Sequence, residues 1–144
     1  MWRCWAKRLP STASEVALHE IVEPDPNRAS PRYSKAVKAG NVVHVSGQIA
    51  TDADGNLVGG TDCEKQSEQC FRNIQRILSA AGAHMEDVVI IRAFLLDRVD
   101  YAGYAVAKAA FYPANPPAGT VVLVAGLLRE GALVEIEVTA IIPE

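Results

Sequence analysis

The sequence predicts an α+β fold, a two-layer sandwich in which two helices cover one face of a mixed β-sheet, in the order β-β-α-β-α-β-β. Three stretches carry that expectation. Residues 61–81 place apolar side chains three and four apart, the period of an amphipathic helix. Residues 132–140 alternate instead, with Val134, Ile136 and Val138 on one side and Leu133, Glu135, Glu137 and Thr139 on the other. Residues 85–96 are almost continuously apolar, as a central strand should be.

Residues 1–29 read as an N-terminal extension, partly flexible, and residues 30–144 as the folded domain. The start of the chain is basic and free of acids until Glu15, and it lacks the apolar run of a secretory signal. It fits a frayed tail, an upstream start codon or a presequence. Glu23-Pro24-Asp25-Pro26-Asn27 and Ser30-Pro31 are turn-rich and separate this segment from the rest. Two short strands follow, 33–38 and 41–49, about an Ala39-Gly40-Asn41 turn. In the second, Val43 and Val45 face one way while His44, Ser46 and Gln48 face the other.

Residues 51–60 form a loop. Its Asp52, Asp54 and Asn56 suggest a calcium loop, but Leu57 and Cys63 occupy positions where such a loop needs Gly and Glu. Thr61 and Glu64 form a capping box for the first helix, whose stripe runs from Cys63 through Phe71 and Ile74 to Leu78 and Ala81. Gly82 is placed to stop it. Asp97 or Asp100 caps a second helix reaching Tyr112, with Tyr104, Ala107, Ala110 and Phe111 inward and Pro113 as its end. Pro116-Pro117 leads into a strand at 121–127, and Arg129-Glu130-Gly131 turns into the last strand.

Composition narrows the function classes. A chain of 144 residues that is 49% apolar makes one domain with an ordinary core. Net charge is −3 and the basic residues are scattered, so nucleic acid is not the expected partner. No apolar run approaches the ~18 residues of a membrane helix. Three cysteines, with no C-x-x-C and no histidine at ligand spacing, fit a reducing cytoplasm and argue against a metal site. Cys63 and Cys70 lie about two helical turns apart, too far to bridge, and read as small core residues.

Chemistry points to the last strand. A buried strand carries acids only where something pairs with them, protonates them or uses them. Glu135 and Glu137 are therefore the first candidates, set against the plainer reading of a solvated outward face. With both helices on one face, the opposite face stays uncovered within one subunit and carries Leu133 among its polar residues. Such a face predicts an oligomer in which these surfaces meet and polar residues line pockets between subunits.

Several short motifs fall in a familiar order: Ser46-Gly47-Gln48, Ala80-Ala81-Gly82, Phe94 with Asp97, Pro117-Ala118, and Gly131 through Glu135-Ile136-Glu137. From about Ser30 onward the chain resembles the reactive intermediate deaminase family, the Rid or YjgF-like proteins. The resemblance implies a chorismate-mutase-like fold and a homotrimer with a cleft at each interface. It also implies hydrolysis of a small-molecule enamine or imine, such as 2-aminoacrylate, to a keto acid and ammonia, without metal or organic cofactor. The family's acid on the last strand falls on Glu135, its pocket tyrosine on Tyr33, and its Ser-Gly pair on Ser46 and Gly47. The arginine that grips the substrate carboxylate should follow Pro117-Ala118, where this chain has Gly119.

Glycine offers only a backbone N–H and space, whereas an arginine fork gives two charge-assisted hydrogen bonds. Either Arg32, Lys35 or Arg129 replaces that cation, or the substrate is not a small 2-imino acid. The second reading is favoured, because Gly119 widens the pocket for a bulkier, less anionic ligand.

In the expected mechanism Glu135 relays both protons, provided desolvation raises its pKa toward neutrality. Glu137, about 7 Å away on the same face, supports it or pairs with Arg92. Ser46 has no base partner in the sequence, so a serine nucleophile is not expected. His44 reads as a packing residue, Tyr33 as a pocket or interface residue and Arg129 as a solvated turn. The rival readings are a non-catalytic trimer that binds small molecules or acts as a chaperone, and a ribonuclease, which the acidic balance disfavours.

Overall fold

Helix α1 (Cys63–Ala80) forms where the stripe predicts it, and its buried side chains include Cys63, Cys70, Phe71, Ile74, Ile77 and Leu78. Its cap differs from expectation. Asp62, not Thr61, takes the N-cap position and its carboxylate accepts the Lys65 N–H. Gly82, at φ 77°, ends the helix, and the Ala83 N–H returns to the Leu78 carbonyl at 2.9 Å.

A computed structural model describes residues 18–144, in which α1 and a second helix, α2 (Tyr101–Phe111), cover one face of a six-stranded mixed sheet. The strands are β1 (Glu20–Val22), β2 (Ala36–Ala39), β3 (Val42–Gln48), β4 (Val88–Leu95), β5 (Ala118–Leu123) and β6 (Val134–Ile141). Their order across the sheet is β1-β2-β3-β6-β4-β5, antiparallel throughout except for the parallel β4/β5 pair. The two-layer α+β expectation holds.

One strand is additional. β1 pairs with β2 inside the segment assigned to the extension, so sheet structure begins at Glu20 instead of after residue 29. The remainder of that assignment, residues 1–17, lies outside the described residues. β5 starts three residues earlier than expected because its parallel register aligns Ala118 with Ile90 on β4. Residues 85–87 form a short 3-10 turn before β4, and Asp97 caps another such turn ahead of α2 through the Val99 N–H. Ala110, expected inward, is exposed, while Tyr104 and Ala107 are buried.

The core lies between the helices and the sheet. On β4, Ile91, Ala93 and Leu95 are buried; on β6, Val134, Ile136, Val138 and Ala140 are buried, and Glu135 and Glu137 point to the other face. The β6 alternation read from the sequence is the one observed. On β3 it fails after Val45. Val45 opposes Val138 and Gln48 opposes Ile136, so Ser46 and Gly47 face a single residue on β6 and form a β-bulge. The bulge turns Gln48 inward, only 6% exposed, where alternation had put it on the polar face.

Candidate active site

The β3 bulge sets the site. A Cβ at position 47 would collide with the Glu135 carboxylate, so only glycine leaves room for that acid to lie against the strand. Gln48 supports the distortion: its Nε2 donates to the Ser46 carbonyl at 2.8 Å and the Gly47 carbonyl at 3.3 Å. Both carbonyls belong to the residues whose pairing the bulge disturbs.

Glu135 is half-buried at the middle of the sheet, opposite Phe94 on β4. Burial, and then the nearby Glu137 carboxylate, raise its pKa above the ordinary carboxylate value. Glu137 itself is tied to Arg92, Nη1 to Oε1 at 3.0 Å, as the sequence reading allowed. The two acids therefore differ. One is neutralised by a partner, and the other keeps its carboxylate free of any hydrogen-bond partner among the described residues.

A depression of about 360 Å³ opens beside Glu135, lined by Tyr33, Ser46, Gly47, Ile49, Leu128 and Arg129. A second cleft of about 230 Å³ shares Tyr33, Gly47 and Ile49 with it and adds Lys35, Arg28 and Arg76. Tyr33 is half exposed; Lys35 Nζ donates to its hydroxyl at 3.3 Å and sits 5.3 Å from its ring centre. Ser46 is committed to structure, since its hydroxyl donates to the Ser34 carbonyl at 2.7 Å. That bond fixes the start of β2 against β3 and with it the approach of Tyr33. His44 bonds Thr139 at 3.1 Å across the same sheet face.

Not every predicted residue joins this group. Arg32 is exposed and lines neither depression. Gly119 pairs with Ile91, so it belongs to the helix-facing side of the sheet, opposite to Glu135. Gly119 is exposed and lines a depression with Lys108, Tyr101 and Pro116. A Cβ on Gly119 would lie 3.0 Å from Lys108 Nζ. Lys108 thus brings an ammonium group beside the position where the resemblance puts an arginine. Sequence reasoning passed over Lys108, although it is the one charged residue in 101–111. Arg129, read both as a solvated turn residue and as one candidate to replace the missing cation, lines the depression beside Glu135. No cluster of His, Cys, Asp and Glu suited to a metal ion occurs among the described residues, and no helix there is long and apolar enough to cross a membrane.

Comparison with known proteins follows the same lines. A family model described as Endoribonuclease L-PSP matches residues 23–142. A RutC family protein of Saccharolobus solfataricus is 36% identical over 125 residues, covering 85% of this chain and 98% of that protein. The 3-aminoacrylate deaminase RutC of Acinetobacter baylyi is 36% identical over 119 residues, covering 81% of this chain and 93% of that one. Among solved structures, RidA from the Antarctic bacterium Psychrobacter sp. superposes with a TM-score of 0.73 at 39% identity, over 79% of this chain and 91% of that one.

Proposed function

This chain belongs to the reactive intermediate deaminase family, the Rid, YjgF or endoribonuclease L-PSP proteins, and on that premise we propose that it hydrolyses a small enamine or imine to a carbonyl compound and ammonia. The observation that carries the reading is Glu135. It is a half-buried carboxyl with a raised pKa, seated against the Cβ-free Gly47 at the edge of a depression.

In this reading the protonated Glu135 carboxyl gives its proton to the enamine carbon while the nitrogen lone pair moves into the C–N bond. An iminium and the Glu135 carboxylate result. The carboxylate then takes a proton from water as the water oxygen bonds to the iminium carbon. Collapse of the carbinolamine expels ammonia, and the proton passes back through Glu135 to leave the carbonyl product. The sum is enamine plus water to carbonyl plus ammonia. Backbone N–H groups around Gly47 hold the substrate oxygen, and Tyr33 and Arg129 close the sides.

The assembly proposed is a homotrimer. Tyr33, Val122 and Leu128 are exposed apolar or aromatic groups on or beside the Glu135 face, and a second copy would cover them. Gly119 and Glu135 occupy opposite faces of one chain, so a ligand touching both would bridge two protomers. The free thiols Cys63 and Cys70 favour a reducing cytoplasm as the compartment.

The test is ammonia release from 2-aminoacrylate and 3-aminoacrylate by the native chain and by Glu135→Ala. We expect a loss of about a hundredfold or more in the variant, the range of a removed general acid–base group. Indistinguishable rates would leave the non-catalytic binding protein as the better description. A ribonuclease activity has weaker support, since a net charge of −3 opposes an RNA backbone.

A further inference from the structure

A bulge disturbs the ladder bonds of its own strand, and here side-chain amides take up the carbonyls that follow. Gln69 and Asn73 are four residues apart on α1, so they are neighbours on one helix surface. Asn73 Nδ2 donates to the Ile49 carbonyl at 3.1 Å and to the Thr51 carbonyl at 3.0 Å. Gln69 Nε2 donates to the same Thr51 carbonyl at 3.2 Å and to Asn73 Oδ1 at 3.0 Å. The last bond settles which way the Asn73 amide lies, because its oxygen has no proton to offer two carbonyls. Every polar atom of that amide is thereby used, and both side chains are half-buried.

The backbone held in this way belongs to the Glu135 site. Ile49 and Gly47 both line the depression beside the acid, and both also line the second cleft, where Asn73 is exposed to it from α1. Gly47 lies two residues before the fastened Ile49 carbonyl, with its Cα against the Glu135 carboxylate. The helix is itself anchored in the core by Phe71, Ile74 and Leu78. Residues 49–51 therefore cannot draw away from β6 while the Asn73 bonds persist.

We propose that Asn73 is a positioning residue for the Glu135 site: by fastening the Ile49–Thr51 backbone to α1 it holds Gly47 and Ile49 closed against the acid, and Gln69 locks the amide that does so. Asn73 does not line the depression beside Glu135, so it acts only through that backbone. The proposal rests on the hydrolase reading for its effect on turnover alone; its effect on the acid's own titration stands without it. The charged or titratable groups on this side are Glu137 with its partner Arg92, Arg129, Tyr33, Lys35 and, further along β3, His44. Replacing Asn73 by a neutral residue alters none of them, so a change at Glu135 reports the access of water to it.

The experiment follows the Glu135 carboxyl of the full chain by carbon-13 NMR through a pH titration, with Glu135→Gln identifying its signal. Asn73→Ala should lower the midpoint toward the ordinary carboxylate range by about half a pH unit or more, as water enters past the loosened segment. Gln69→Ala keeps both Asn73 donors and should lower it by less. Met85→Ala opens a core cavity before β4, at the other end of that strand from the residue opposite Glu135; it should cost stability and leave the midpoint in place. In ammonia release Asn73→Ala should lose about tenfold or more in kcat with KM nearly unchanged. A midpoint that stays or rises in Asn73→Ala overturns the proposal, as does an equal fall in Met85→Ala. If Asn73→Ala does not fold, Gln69→Ala decides by the same criterion. An Asn73-dependent midpoint in a native chain that releases no ammonia defeats the hydrolase reading alone. Ammonia release with an unmoved midpoint defeats this one alone.

Discussion

At the residue scale, Glu135 is an acid held where its charge is disfavoured, and that has a consequence for stability. Its pKa in the fold lies above the unfolded value, so between the two pH values the native state holds a proton that the unfolded chain has lost. Stability therefore falls as pH rises through that window and stays lower above it. Glu135→Gln removes the titration. Urea unfolding of both proteins across the acid-to-neutral range should show the variant gaining relative stability with rising pH, from a constant offset at low pH. A variant that instead loses stability relative to the native chain as pH rises would contradict the burial of this carboxyl. Gly47→Ala tests the same contact from the other strand. The added methyl displaces the end of a flexible side chain, so we expect a large loss of ammonia release with a stability change below about 1 kcal/mol.

At the element scale, the β3 bulge links packing to chemistry. It places Gly47 against Glu135 and turns Gln48 inward to bond the Ser46 and Gly47 carbonyls. Gln48→Leu keeps the volume and removes the donor, which should cost about 1–3 kcal/mol in chemical denaturation, the penalty of unsatisfied buried carbonyls. Gln66 has a comparable task on α1. Fully buried, it donates to the Gly60 and Gly131 carbonyls and accepts the Leu133 N–H at 2.9 Å, which fixes the turn that delivers β6. The α1 and β6 periods were legible because each repeats locally over several residues. The bulge was not, since one extra residue in a strand leaves no periodic mark and is defined only by the register of its partner. A polar Gln66 on an apolar stripe was the available signal for the second device.

At the scale of the whole molecule, the sheet has one face covered by helices and one carrying Glu135, Glu137, Arg92 and His44. Leu128 is fully exposed beside the acid, and Val122 and Tyr33 are each roughly half exposed. Burying such groups contributes about 25 cal/mol per Å² of apolar surface, which favours association of like faces. Light scattering should return a mass of about three times 15.5 kDa at micromolar protein, and a monomer at that concentration would refute the trimer.

The sequence by itself determined the helix and strand periods, the sandwich they imply, and Glu135 and Glu137 as the acids to examine, because each of these is written in side-chain spacing along one segment; the resemblance then singled out Glu135. Only the tertiary structure decided which groups meet across segments. It set Gly47 under Glu135, paired Glu137 with Arg92, left Arg32 outside, and brought Lys108 over Gly119. Those contacts join residues from different elements, and their partners are fixed by strand register and helix packing, which no local pattern encodes.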